Sequence, residues 1–268
     1  MAAPKKRLDE LLVQLGYFAD ARAALGPIMS GDVLVGGQRE TKAGAKVRVD
    51  ADIVVGGLEL RFASRGGYKL EHALARFAID VTRMTVLDAG ASTGGFTDCL
   101  LQRGAAKVYA VDVGFGQLRG RLAADDRVVV LEKTNISDLE ANPIDDAIDL
   151  CTMDLSYLSL TRAIPIIHRA TGVEDFVCLA KPLYEGLDEA SKADMAAIGE
   201  VAERLLASLS GDGMGVQDIA VSPVFGGRGA IEFLIRVRAG KQGPAIEDLV
   251  ASLQADYKHN PPSLNLLG

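Results

Sequence analysis

The sequence predicts an α/β protein in two parts, a small N-terminal module and a doubly wound, Rossmann-like domain behind it. Three observations predict this. The first sixty residues are turn-rich, with two short helical patterns and a few short β runs. From about Lys69 the pattern changes to β runs alternating with helical stretches, which is the grammar of a mostly parallel sheet covered on both faces. One of those β runs, Thr85–Leu87, leads into a loop dense in glycine and small residues before the next helix. The predicted boundaries are 1–60, 61–240, and a C-terminal helix and tail over 241–268.

Length and composition agree with this division. The 268 residues are 49% hydrophobic and 24% charged, enough apolar material for a core and too much for disorder. No apolar run reaches the roughly 20 residues that span a bilayer. Asp9 and Glu10 stand where a signal peptide would carry its apolar stretch, so cytoplasmic residence is expected and no membrane partner. Cys99, Cys151 and Cys178 form no C-x-x-C pair, and His72, His168 and His259 have no ligand spacing, so buried free thiols and no metal are expected. The net charge of −7 counts against a nucleic-acid binder of the bulk-charge kind. Its distribution softens this, because residues 1–62 carry one net positive charge and the remainder eight net negative.

In the N-terminal part Leu8, Leu11, Leu12 and Leu15 recur at helical spacing, and Gly16 ends that helix. A second helix is predicted from about Ala19 to Met29, ending near Gly31. Short strands follow at Val33–Val35, Val47–Val49 and Ile53–Val55, the first leading into a Gly36-Gly37 turn. The strings R-L-D-E-L-L-V-Q-L-G, G-D-V-L-V-G-G and K-A-G-A-K-V-R-V make residues 7–55 resemble the alpha-L RNA-binding domain. That resemblance implies an RNA grip made by Arg7, Arg22, Arg39, Lys42 and Lys46, with Arg65 just beyond. One departure is Asp20-Ala21-Arg22, where the family usually opens its second helix with Ser-Arg.

In the second part the β runs are Thr85–Leu87, Val108–Val111, Val128–Leu131, Asp149–Met153, Phe176–Ala180 and Ile231–Val237. A helix is predicted over Lys69–Ala78, the longest between Glu189 and Leu209, and a loose tail over Lys258–Gly268. The stretch V-L-D-A-G-A-S-T-G-G-F-T reads as a buried strand, a loop that a ligand can approach closely, and a helix opening. It has D-x-G-x-x-x-G-G where a dinucleotide site would carry G-x-G-x-x-G over a pyrophosphate. The next strand ends at Asp112, about twenty residues on, the place of an acid that accepts from ribose hydroxyls. Loop and acid together resemble the class I methyltransferase site for S-adenosylmethionine. Asp88, Gly90, Ser92, Gly94 and Gly95 would then lie by the methionine end, Asp112 by the ribose, and the Thr134-Asn135 turn by the adenine.

Methylating a ribose 2′-hydroxyl needs a base near a poorly acidic oxygen. A lysine serves if a second cation lowers its pKa, and carboxylates then hold both in place. Lys69, Asp154, Lys181 and Glu232 offer two lysines and two carboxylates. Asp154 and Lys181 each fall just past an apolar β run, and Glu232 at the beginning of the last one. Singly each has an ordinary structural explanation; jointly they form a pattern. With S-R-G-G-Y-K-L, V-D-V-G-F-G-Q-L, D-L-S-Y-L-S-L, K-P-L-Y-E and G-A-I-E-F, the chain resembles the TlyA or haemolysin A family of ribosomal RNA 2′-O-methyltransferases, whose catalytic domain is FtsJ-like.

The resemblance implies ribosomal RNA in ribosomal subunits as partner, a cytidine ribose as target, Lys181 as base, Lys69 and Asp154 as tuning and orienting groups, and Glu232 as a positioning group. Two departures are K-P-L-Y-E for the usual K-P-Q-F-E with its long Gly-rich loop, and Gly229-Ala230-Ile231-Glu232 for G-N-x-E. The alternative is a non-catalytic RNA-binding or ribosome-assembly factor that keeps the fold. The acidic balance and shortened loop favour it, and the four retained positions oppose it. A pore-former finds no spanning segment, and a small-molecule methyltransferase leaves the N-terminal module without a purpose.

Overall fold

The computed structural model describes residues 4–18, 20–49, 51, 53–56, 58, 60–226 and 229–262. Its N-terminal elements are β1 (Lys5–Arg7), α1 (Leu8–Leu15), α2 (Ala21–Ser30), β2 (Val33–Val35), β3 (Gln38–Arg39), β4 (Lys46–Arg48) and β5 (Ile53–Val55). Helix α1 ends at Gly16, whose left-handed φ of 94° lets its N–H return to the Leu12 and Val13 carbonyls. Helix α2 starts at Asp20, whose side chain accepts from the Ala23 N–H. The residue that departs from the RNA-binding pattern is thus a helix cap. Ala19, expected in that helix, lies outside the described residues. Val35 and Gln38 pair across Gly36-Gly37, and positive φ at both glycines matches the tight hairpin. Leu8, Leu11, Leu12, Leu15, Ile28 and Val33 belong to one buried cluster here.

The remaining elements are α3 (Gly66–Arg76), β6 (Thr85–Ala89), α4 (Gly95–Gln102), β7 (Lys107–Asp112), α5 (Gly120–Ala123), β8 (Val128–Glu132), β9 (Leu150–Met153), α6 (Leu160–Thr171), β10 (Asp175–Ala180), α7 (Met195–Gly211), β11 (Met214–Val221), β12 (Phe233–Ala239) and α8 (Ile246–His259). The strands form one seven-stranded sheet in the order β11-β12-β10-β9-β6-β7-β8. Neighbours from β10 to β8 run parallel, while β12 runs antiparallel to both β10 and β11. Successive residues face opposite sides. Leu87, Cys151 and Phe176 join the core on one face, and Val86, Leu150 and Val177 that on the other.

The chain runs outward from β6 to β8 and then returns to place β9 beside β6, so the order switches there. In such sheets the crevice at the switch, beyond the strand C-termini, is where ligands bind. Several expectations need correction. Strand β11 went unnoticed in the sequence, and the last strand begins at Phe233, leaving Glu232 just before it. The long helix starts at Met195, where Asp194 caps it, and only a single 3-10 turn occupies Glu189–Ser191. Lys258 and His259 belong to α8, which packs on β11 and α7, so the tail is not loose there; 263–268 lie outside the described residues. The three cysteines are free and buried, as expected.

Candidate active site

Six segments of the chain converge at the switch point. The loop after β6 comes first. The Gly90 and Ala91 N–H groups both donate to the Val111 carbonyl, at 2.9 and 3.1 Å, which ties the loop to the end of β7. Gly90 has φ 89°, and a Cβ there would meet the Asp154 carbonyl at 2.6 Å. Only glycine lets the loop lie against the end of β9. Ser92 has φ 48° and donates its N–H to Asp112 Oδ2 at 2.8 Å, while Asp112 Oδ1 accepts from Gly114 at 2.6 Å. Two backbone bonds therefore fix this half-buried carboxylate.

The structure divides the expected cofactor residues. Gly90, Ser92 and Gly95 line a cavity of about 280 Å³, together with Ala91 and Thr93. Gly94 faces Leu118 and Leu122 of the protein itself, and a Cβ on Gly95 would collide with Ser64. Asp88 is a correction. It is fully buried, and its carboxylate accepts from Thr97 Oγ1 at 2.6 Å and Thr152 Oγ1 at 3.1 Å, so it has no surface for a ligand. Burial raises its pKa to about 7 against the opposing pull of the two hydroxyls. Asn135 begins a 3-10 turn, its side chain accepting from Ser137, with Asp138 returning the bond in a capping box. Neither Asn135 nor Asp112 reaches the cavity lining.

The cavity does gather Lys69, Asp154, Lys181 and Glu232. Lys69 and Glu232, each 5% exposed, form a buried ion pair. Glu232 can approach because Gly226 has no side chain where its carboxylate lies. Gly227 and Arg228, in the turn read from the sequence, lie outside the described residues. Asp154 follows β9, its N–H bonded to the Ala89 carbonyl at 3.0 Å. Lys181 follows β10, with Nζ 2.6 Å from Ser156 Oγ and 2.6 Å from Asp154 Oδ1. The contact to Asp154 is a charge pair without hydrogen-bond alignment, since Oδ1 has no aligned donor.

The electrostatics correct a further expectation. Burial pulls the Lys181 pKa down, but the Asp154 and Glu232 carboxylates outweigh it, and it stands above the ordinary lysine value. A depressed pKa was expected from the second lysine; the net shift is upward instead. In this geometry Lys181 is an ammonium.

Arg65, grouped with the RNA-gripping residues in the sequence, lies in this cavity. Burial lowers its pKa against the attraction of Glu232 and Asp154. Arg7, Arg22, Arg39, Lys42 and Lys46 are exposed and away from the cavity, Arg7 paired with Asp9 at 2.6 Å. Sequence reasoning missed Gln14, which brings α1 to the cavity edge, and Ser156, which holds Lys181. It also missed Glu185, whose carboxylate accepts from Leu160 N at 2.9 Å and Ser159 Oγ at 2.5 Å at the start of α6. Gln14 and Glu185 owe their places to tertiary contacts that no local spacing announces. Ser156 had a weak signal in its position two residues past Asp154. Among the described residues no cluster of metal-ligating side chains is present, and no helix is long and apolar enough to cross a membrane.

A family of known proteins carries the same pattern, with residues 62–239 matching FtsJ-like methyltransferases. The chain belongs to this family. It is thus a methyltransferase by fold and an enzyme by family. Among its relatives is YqxC of Bacillus subtilis, named as a candidate rRNA methyltransferase, 37% identical over 93% of this chain and 91% of that one. The 16S/23S rRNA (cytidine-2′-O)-methyltransferase TlyA of Mycobacterium tuberculosis is 43% identical over 68% of this chain and 69% of its own. A solved structure of a candidate hemolysin from Streptococcus thermophilus matches with a TM-score of 0.77 and 34% identity, covering 97% of this chain and 99% of that one. The FtsJ-like segment begins at Phe62, just before α3 and its lysine.

Proposed function

We propose that this FtsJ-like enzyme transfers a methyl group from S-adenosylmethionine to a ribose 2′-hydroxyl of ribosomal RNA, with a cytidine as target. The observation that carries the reading is the convergence of two lysines and two carboxylates beside the Gly90–Thr93 loop. The names of the TlyA relatives support the ribosomal substrate. When bound, the cofactor supplies an electrophilic methyl group on a sulfonium.

The residues present suit that cofactor. Gly90, Ala91, Ser92 and Thr93 give the cavity a wall of backbone and small side chains, which a ligand can approach closely. Asp112 is the proposed acceptor for the ribose hydroxyls, its oxygens keeping lone pairs beyond those used by Ser92 and Gly114. Lys181 is the proposed general base for the 2′-hydroxyl. It must first shed its proton, which is easiest when another cation shares the cleft, because like charges lower a lysine pKa. Asp154 and Ser156 hold its Nζ in place, and the buried pair with Lys69 fixes the Glu232 carboxylate beside it. Residues 1–60 are the proposed RNA-binding domain, gripping phosphates through Arg7, Arg22, Arg39, Lys42 and Lys46. Residues 61–240 are the proposed catalytic domain, followed by a C-terminal helix and tail.

The test is transfer of labelled methyl groups from S-adenosylmethionine to unmodified ribosomal subunits, with Lys181→Ala protein alongside. Label on ribose that disappears in the variant supports the reading. Binding of cofactor and subunits without transfer by the unaltered protein supports an assembly factor in its place.

A further inference from the structure

A second cavity, of about 480 Å³, adjoins the first. The two share Ser156, Lys181 and Glu232, so this group is a partition between them. On the far side of the partition the lining comes from Pro182, Leu183, Tyr184 and Ala230, with Glu189 at the edge of the 3-10 turn Glu189–Ser191. A transferred methyl group has to reach an acceptor oxygen within range of Lys181, so an acceptor sugar belongs at the partition. Whatever that sugar carries then falls on the side away from the Gly90–Thr93 loop.

Tyr184 is suited to meet it. It ends the 3-10 turn Pro182–Tyr184, in which its N–H returns to the Lys181 carbonyl at 2.8 Å. The next residue, Glu185, is anchored to the start of α6 by its bonds to Ser159 and Leu160. The backbone on both sides of the ring is therefore held, yet Tyr184 remains 49% exposed. Its ring centre lies 6.0 Å from Lys181 Nζ. A fixed, half-open aromatic ring beside a cavity offers a stacking surface at small conformational cost. A base in structured RNA has to leave its stack to enter such a cleft, and a new ring partner recovers part of what the departure costs. The volume lies in the range of pockets that enclose a small ligand.

We propose that the second cavity is the subsite for the target nucleoside and that Tyr184 is the platform on which its base stacks. This rests on the methyl-transfer reading above. Stacking of this kind is tolerant of base identity, since every base has a π-face. Tyr184 thus selects an unstacked nucleoside, and the hydroxyl of its ring is dispensable.

The experiment compares the full-length protein with Tyr184→Phe, Tyr184→Leu and Tyr184→Ala. Methyl transfer to unmodified ribosomal subunits, subunit retention on filters, S-adenosylhomocysteine affinity by calorimetry and thermal melting are measured for each. Tyr184→Phe is expected to stay within about twofold in kcat/KM, while Leu and Ala lose on the order of 10- to 100-fold. Cofactor-product affinity and melting should be the same in all four proteins. The proposal is overturned if Tyr184→Ala keeps its kcat/KM within about threefold, or if Tyr184→Phe falls as far as Tyr184→Ala. It is equally overturned if the loss in Tyr184→Ala is matched by a fall in S-adenosylhomocysteine affinity or melting that Tyr184→Leu shares. Unaltered protein that retains subunits but transfers no methyl group sinks the methyl-transfer reading alone. In that event weaker subunit retention by Leu and Ala, with Phe unchanged, still supports the stacking platform, and equal retention by all four overturns it.

Discussion

Lys69 and Glu232 lie 163 residues apart in the chain and meet as a buried ion pair beside the cleft. Removing one partner leaves the other charge buried and unmatched, which costs about 3–5 kcal/mol. Lys69→Met should therefore lower the stability read by urea denaturation by that amount. The double variant Lys69→Met/Glu232→Leu should recover most of it, because an apolar pair replaces an ionic one with little loss. Recovery of stability without recovery of methyl transfer would separate the structural role of the pair from its chemical one.

Lys181 makes a pH prediction. Its pKa stands above the ordinary lysine value, so below that pKa the neutral fraction rises tenfold for each pH unit. If the neutral amine is the base, kcat/KM should climb steadily from pH 6.5 to 9.5. A flat profile above pH 7 would remove the lysine from proton transfer. Lys181→Ala should lower the rate by about 10²–10⁴-fold or more, with cofactor affinity unchanged.

Asp88 predicts a pH dependence of stability. Burial raises its carboxyl pKa in the folded protein to about 7, against an ordinary aspartate value of about 3.9. Between those values the folded state holds a proton that the unfolded chain has released, so stability is fullest at acid pH and falls as pH rises toward 7. Asp88→Asn should flatten that part of the curve and raise stability at pH 8, measured by urea titration at pH 5, 6, 7 and 8. An unchanged slope would mean that Asp88 is ionised throughout.

Gly95 and Ser64 meet where α4 and α3 begin, and a Cβ on Gly95 has no room beside the Ser64 hydroxyl and the Gly67 N–H. Gly95→Ala should destabilise the protein by about 1–3 kcal/mol through overpacking. Adding Ser64→Ala should relieve part of this, since the backbone of Gly67 remains at 3.0 Å. Differential scanning calorimetry of the two variants distinguishes the outcomes.

Asp112 is held by Ser92 and Gly114, so its position does not depend on a ligand. Asp112→Ala should weaken S-adenosylhomocysteine binding in calorimetry by about 1.5–3 kcal/mol, the range for hydrogen bonds to a charged group. Unchanged affinity would count against its assignment to the ribose.

The sequence by itself determined the alternation of strands and helices, the glycine-rich loop after β6, and the places of Asp154 and Lys181 at the strand ends, while Lys69 and Glu232 stood out only through the family resemblance. The first three are written locally. Apolar runs of strand length fix β6, β7, β8, β9 and β10, and a charged residue just past an apolar run has to emerge at the sheet edge. Only the tertiary structure decided which charges pair. Lys69 takes Glu232 and Lys181 takes Asp154, and the carboxylates outweigh burial so that Lys181 is held as an ammonium. It likewise decided that Asp88 is a buried anchor for Thr97 and Thr152, and that Arg65 and Gln14 belong to the cleft. The physical reason is common to these cases. Periodicity and loop composition follow from the backbone geometry of neighbouring residues, whereas pairing, burial and pKa depend on distances between residues far apart in the chain.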